Sequence, residues 1–470
     1  MNQGAILLLR IKTIFKPAEA GSMRQLALIL VLPLVLGLGG CATYSGSFAV
    51  IEHKLAAQKY DEALKDIEKD ADSKTDRVLY LLNKGMVLRM KRDFTASNVA
   101  FEAAKAEIDR LYAASVSENT LSAIVNDSTV SYSGDNYERV LLHMYMALNY
   151  LELGDPDSAR VEALQVDVLL RSLAEKSSSN KIAEDAFMLY LAGMIYEDEG
   201  EFSDAMIAYR NAYNVYKKYL TNFGLPMPSV LKTDLMRMAK RQGLTDELDK
   251  YKKEFGIDSL ASSSLPADQG ELVFVLNNGL APIKREKSIN SFDPKSGSML
   301  RIALPEYESR SSRVVSARII ANDKQVTTEL MENIDAIARQ FLEDHMPAIM
   351  ARSVARAVIK TAANRKARDA ALNNKNSDNA MAGMLGALAL QVATVVTERA
   401  DTRSWLTLPA SIQLGRLSLP PGSYNVKVEL LDANKQVVAT QDYPGVVVKK
   451  SQMTFLSEHW MPNQNSVNRR

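Results

Sequence analysis

The sequence predicts an α-solenoid of stacked helix pairs followed by a β-rich, sandwich-like domain that is split by an inserted helical hairpin. Three observations carry that expectation. From Tyr44 to about Gly256 the chain reads as helix after helix, with small residues and aromatics at matched intervals. The composition then shifts at Ser259-Leu260-Ala261-Ser262-Ser263-Ser264-Leu265-Pro266, and beyond it short alternating segments are punctuated by Pro, Gly, Asn and Asp. Within that second half, Met381 to Thr397 carries no charge over 17 residues. The expected organisation is therefore a leader over 1–40, an attachment point at 41–43, helical repeats over 44–257, a linker over 258–268, and a β-rich domain over 269–470 with a helical insert at about 333–399.

The repeats come first. Tyr60, Ala63 and Ile67 align with Phe94, Ser97 and Phe101 at a displacement of 34 residues. Gly193, Tyr196, Gly200, Phe202, Ala205, Tyr209 and Ala212 form the fullest copy of the same template. Ala147, Tyr150, Gly154, Pro156, Ala159 and Ala163 form another, and Met236, Ala239, Gly243, Thr245 and Leu248 a frayed last one. Small residues sit where two antiparallel helices cross closely, aromatics fill the holes beside them, and each pair leaves an apolar face for the next. The pattern resembles the tetratricopeptide repeat, although some copies depart from its consensus, and longer spacings leave room for an insertion at Ser115 to Asn136. The resemblance implies a curved solenoid with a groove that holds a peptide or protein. Tyr150, Tyr196, Tyr209, Tyr213 and Tyr216 are the candidate groove contacts, with packing as the alternative role for Tyr196 and Tyr209, which occupy template positions.

In the second half, Glu271–Leu276 and Ser298–Leu304 read as strands, and Arg313–Thr328 alternates around the turn-forming Asn322-Asp323. The tail carries four more, Ser411–Leu419, Ser423–Leu431, Gln436–Gln441 and Gly445–Ser457. They are separated by Pro420-Pro421-Gly422, Asp432-Ala433-Asn434 and Tyr443-Pro444-Gly445, the spacing of a small antiparallel sandwich. Trp405 and Trp460 bracket this tail and read as packing residues. Helices from about Asn333 to Asn373 and from Ala380 to Arg399 interrupt the strands. The uncharged Met381–Thr397 segment would reach about 26 Å, less than a hydrocarbon core of roughly 30 Å. Its Gly and Ala content suits a buried hairpin helix, with membrane contact or an oligomer lining as the other roles. The preceding helix places Arg352, Arg356 and Lys360 at intervals of four, a basic stripe that is either a solvated face or a contact for an anionic surface.

The chain start is the most specific signal. Met23-Arg24 opens a basic segment, an apolar run follows to Leu36, and Leu38-Gly39-Gly40 precedes Cys41, the only cysteine. The layout resembles the lipobox of bacterial lipoproteins. That resemblance implies cleavage before Cys41, acylation there with diacylglyceryl and palmitoyl-type chains, and, with Ala42 in place of an aspartate, retention at the outer membrane facing the periplasm. Met23 is also the better start residue. Several acyl chains hold a protein durably where one does not, at about 0.8 kcal/mol per buried methylene.

Chemistry is sparse. After residue 40 the chain has 53 basic and 55 acidic residues, so no bulk charge attracts nucleic acid. His53, His143, His345 and His459 lie far apart without metal-site spacing, and no phosphate loop, Gly-x-Ser-x-Gly elbow or cysteine nucleophile is present. No metal or cofactor is expected. Together, the lipobox at Cys41 and the stretch Ala400-Asp401-Thr402-Arg403-Ser404-Trp405, continuing through Leu408-Pro409-Ala410 to Leu419-Pro420-Pro421-Gly422-Ser423-Tyr424, resemble an uncharacterised family of Gram-negative envelope lipoproteins with N-terminal tetratricopeptide-like repeats. The implied function is a non-catalytic scaffold that binds an envelope protein through the repeat groove, in cell-wall or outer-membrane maintenance. The alternative is a peptidoglycan- or glycan-binding module or enzyme in the C-terminal domain.

Overall fold

The computed structural model describes residues 44–118, 129–176, 185–258, 268–293, 298–373 and 377–461. Cys41, the leader and nearly all of the linker lie outside them, as does part of the 115–136 insertion. After a short α1 (Tyr44–Ser47), ten helices form five antiparallel pairs: α2 (Ala49–Ala56) with α3 (Tyr60–Ile67), α4 (Arg77–Met90) with α5 (Phe94–Glu118), α6 (Asn136–Leu153) with α7 (Pro156–Lys176), α8 (Ala186–Asp198) with α9 (Phe202–Phe223), and α10 (Ser229–Arg241) with α11 (Thr245–Phe255).

The reason these sequences pair is visible at the crossings. A Cβ on Gly85 would lie 2.4 Å from the Phe101 ring, and one on Gly193 would lie 2.4 Å from the Tyr209 ring, so only glycine lets each aromatic seat against the facing backbone. Both pairs are sixteen residues apart in sequence. The same offset links Ala147 to Ala163, both buried. Helix ends follow local chemistry as well. Asp135 and Glu138 make a reciprocal capping box at the start of α6, and Gly154 ends that helix in the left-handed conformation at φ 72°.

The second half holds two four-stranded sheets and a ribbon. Sheet I has the order β10-β1-β7-β6 and sheet II the order β5-β4-β8-β9, with β2 and β3 paired apart. The strands are β1 (Gly270–Asn278), β2 (Ile283–Asp293), β3 (Ser298–Glu308), β4 (Ser316–Ala321), β5 (Lys324–Thr327), β6 (Glu329–Asn333), β7 (Ser411–Leu419), β8 (Gly422–Leu431), β9 (Val437–Val448) and β10 (Met453–Trp460). β1 is the central strand, antiparallel to β7 and parallel to β10. Every residue of β1 is buried because both of its faces are covered. Leu272, Phe274 and Leu276 point into the sandwich against Ile319, Val426 and Val428. Val273 and Val275, with Ile412 and Leu414 of β7, join the core of the helical repeats.

That second face changes the organisation expected from the composition shift. The 258–268 segment separates the helices from the strands in sequence, yet Tyr44–Arg470 is one compact unit whose larger apolar core runs from Phe48 to Met461. Two local readings are also corrected. Tyr443-Pro444-Gly445 is not a turn between strands: β9 runs through it, with a register shift against β8 and Gly445 at φ 72°, a bulge that absorbs the proline. β2 was not anticipated, because Lys284-Arg285-Glu286-Lys287 carries no apolar alternation. The inserted helices are α12 (Ile334–Leu372) and α13 (Ser377–Thr397), an antiparallel hairpin between β6 and β7.

Candidate partner-binding surfaces

The inner face of the solenoid, where a groove-bound partner was expected, is filled by the chain itself. Sheet I and the 401–408 segment lie against the first helices of the pairs. Trp405 is fully buried and meets Phe101 and Tyr145 edge-on at centroid distances of 5.8 and 6.0 Å. Its backbone N–H donates to Glu138 at 2.7 Å, and Thr407 donates to Asn83 at 2.9 Å. Further along, the Tyr145 hydroxyl donates to Asn277 of β1 at 3.0 Å, and the Tyr216 hydroxyl to the Met331 carbonyl of β6 at 2.9 Å. At the centre Arg416 of β7 reaches across to Asp234 of α10, to Tyr190 of α8 and back to Glu271 of β1.

The predicted groove tyrosines are placed accordingly. Tyr209 and Tyr216 are completely buried, and Tyr213 nearly so, packed edge-on against Tyr251 and Phe255 with its hydroxyl on Glu254. As groove contacts these three are corrected to core residues: their rings fill the holes between helices, and their hydroxyls are satisfied inside the protein. Tyr150 and Tyr196 are half-buried, Tyr196 beneath the Arg160 guanidinium at 5.8 Å. The basic stripe is likewise turned. Arg352 is exposed, but Arg356 is buried, and Arg356 and Lys360 converge on Glu398 at 3.3 and 2.5 Å. A spacing of four drifts around a helix of 3.6 residues per turn, and by Arg356 it faces α13 rather than solvent. The reading of Met381–Thr397 as a buried helix is also corrected, since Met384, Leu388, Leu390 and Val392 of α13 are exposed.

Among the described residues a cleft of about 340 Å³ opens between the first helix pair and one edge of the sandwich. Gln58 and Tyr60 form one wall; Thr440 and Gln441 of β9 and Glu458, His459 and Trp460 of β10 form the other. β9 and β10 are both edge strands, each paired on one side only within its sheet. The Tyr443 hydroxyl donates to Glu458, whose carboxyl is raised by burial, and burial together with Glu458 pushes the Tyr60 hydroxyl up to about 12. The cleft therefore offers an indole, amide and hydroxyl groups, and strand backbone. Nothing in the sequence marked it, since Trp460 reads there as a packing residue and the walls lie some 400 residues apart.

Neither a protein-family model nor a curated protein sequence matches the chain. Among solved structures it is similar to the crystal structure of MamA, at 16% identity and a TM-score of 0.27, with 44% of this chain and 87% of that chain covered. A further MamA structure, "MamA AMB-1", is similar at 16% identity and a TM-score of 0.27, over 47% of this chain and 93% of that one. Similarity at this level identifies no activity. Among the described residues, no group of three or more His, Cys, Asp or Glu is arranged to hold a metal ion.

His459 gives the cleft a pH dependence. Burial pushes its imidazole down to about 4; Nε2 sits 3.0 Å from the Gly279 carbonyl, and the buried Nδ1 has no hydrogen-bond partner in the protein. An unfolded histidine titrates near 6.5, so the stability tied to the neutral ring is fully present above about pH 6.5 and is lost as pH falls toward 4, by up to about 3 kcal/mol. His459→Gln removes that term. Melting curves of the two proteins will converge as the pH is lowered from ~7 to ~4.5, and parallel curves would show that the ring is not buried neutral.

Proposed function

We propose that this protein is a non-catalytic envelope scaffold, acylated at Cys41 and held at the periplasmic face of the outer membrane, which binds a protein partner at the β9–β10 cleft. The observation that carries the reading is the filled groove. With sheet I and Trp405 seated on the inner face of the repeats, the solenoid acts as a rigid support for the sandwich, and the edge strands β9 and β10 beside the cleft are open to a partner. An extended segment of a partner adds to such an edge through main-chain hydrogen bonds, and side chains on either side of it enter the neighbouring pocket. Trp460 and Tyr60 supply the flat apolar surface that anchors such a segment. The lipid anchor rests on the lipobox resemblance.

The test is a pull-down from a detergent-solubilised envelope with the chain from residue 41 onward carrying Cys41→Ser, alongside the same chain with Thr440→Arg and Gln441→Arg. Both positions are exposed, so the fold is retained. A protein captured by the first chain and reduced at least ~10-fold by the second supports the reading, since blocked strand addition and two added charges cost a few kcal/mol. Capture that is indifferent to the cleft substitutions refutes it. Sedimentation with purified peptidoglycan that depends on the same two positions would instead favour a glycan-binding role. In the full-length protein, Cys41→Ser should lower the share held in the outer-membrane fraction, because the acyl chains are lost.

A further inference from the structure

The α12–α13 hairpin is built inside out. Polar groups pair in its interior: Arg356, 3% exposed, and Lys360 share Glu398, and the Asn364 side chain donates to the Thr394 hydroxyl at 3.0 Å. Its apolar groups face outward. Val354, Val358 and Ile359 of α12 are 45–61% exposed, and Met384, Leu388 and Val392 of α13 are 48–50% exposed. α13 packs mainly on α12 and slightly on β3, leaving most of its circumference bare. A helix that is apolar all round belongs in a protein core or in lipid.

Charge distinguishes the two. The whole chain carries a net +1, yet residues 351–399 hold eight basic and three acidic side chains, a local excess of five positive charges. Arg365 and Lys366 are exposed near the hairpin turn and Arg352 is exposed at the other end of the apolar band. Two such hairpins would repel one another, and the outward face offers little polar contact to set the register of a protein partner. Anionic lipid phosphates complement it.

We propose that the α12–α13 hairpin is a membrane-contacting element whose apolar outer faces enter the headgroup–acyl boundary of an anionic bilayer, with Arg365 and Lys366 at one end and Arg352 at the other meeting lipid phosphates. The band between Arg352 and Arg365 is about 20 Å long, shorter than a hydrocarbon core of roughly 30 Å. Among the described residues no helix is long and apolar enough to cross a membrane, so the hairpin lies in the interface. Internal pairing of Arg356, Lys360 and Glu398 is what that setting requires, because an unpaired charge facing hydrocarbon is costly. This contact is independent of the acyl chains and of the cleft.

The experiment is vesicle flotation of the chain from residue 41 onward with Cys41→Ser, using phosphatidylethanolamine vesicles with and without phosphatidylglycerol. The protein is expected to float with the phosphatidylglycerol vesicles. Val358→Glu with Leu388→Glu, at exposed positions that leave the hairpin interior intact, should lower the floated fraction at least ~10-fold. Arg365→Glu with Lys366→Glu should abolish the dependence on phosphatidylglycerol. Circular dichroism checks that helix content is kept, and Leu388→Trp should shift its fluorescence to the blue on vesicle addition. No flotation, or flotation unaffected by Val358→Glu with Leu388→Glu, overturns the proposal. So does a lipid-free dimer in sedimentation equilibrium that the same pair of substitutions dissolves, which would make a second copy the occupant of this surface.

Discussion

Arg416→Ala is expected to destabilise the protein by about 3–5 kcal/mol, because it leaves Glu271 buried without its cation and Asp234 with Arg237 alone. The guanidinium lies between Asp234 and Glu271, and all three side chains are at most a tenth exposed. Burial alone would raise the Asp234 carboxyl, and Arg416 and Arg237 override it and hold it below the usual carboxylate range. The stability carried by that carboxylate is present above about pH 4 and is lost as pH falls through its folded value. Urea denaturation checks the cost. Because the bridge joins β1 and β7 to α8 and α10, the loss should appear as a lower midpoint of one cooperative transition for helices and strands together. Two separate transitions would show that the helical half folds independently of the sheet. Adding Asp234→Asn and Glu271→Gln to Arg416→Ala should recover part of the loss, since much of the cost is the stranded charge and not the missing attraction.

Gly193→Ala is expected to cost about 3 kcal/mol, an unusually large effect for one methyl group. The new Cβ would meet the Tyr209 ring at 2.4 Å, and the ring cannot retreat: its hydroxyl donates to Glu197 at 2.7 Å and Tyr190 packs against it at 5.5 Å. Combining the change with Tyr209→Leu removes the clash, so the two substitutions should be strongly non-additive in a double-mutant cycle. Simple additivity would mean that the close helix crossing is not the reason for glycine. Gly85 and Phe101 should behave in the same way in the second pair.

Both residues in that second prediction were readable before the structure, and Arg416 was not. Gly193 and Tyr209 belong to a local repeat, and the aromatic and the small residue carry the same signature in each copy because every helix crossing has the same shape. The Arg313–Thr328 hairpin around Asn322 was readable for a similar reason: turn chemistry is local, and Asn322 adopts φ 54° there. Arg416 sits in Gln413-Leu414-Gly415-Arg416-Leu417, where its partners lie 182 residues away in Asp234 and 145 away in Glu271. The tyrosines show the limit from the other side. Sequence spacing placed Tyr209 in the repeat and Tyr216 among the candidate groove contacts, but an inner-face aromatic serves equally to bind a partner or to pack on the chain's own sheet.

The sequence by itself determined the helical repeats and the strand-rich second half with its inserted hairpin, because period, turn residues and segment composition are properties of neighbouring positions. Tertiary structure alone decided that the solenoid groove is closed by sheet I, that Arg356 and Lys360 turn inward onto Glu398, and that α13 is exposed. Those outcomes depend on which surface each amphipathic face finds when the chain collapses. Hydrophobic burial is non-directional, so an apolar face states that it will be covered and leaves its partner to the fold.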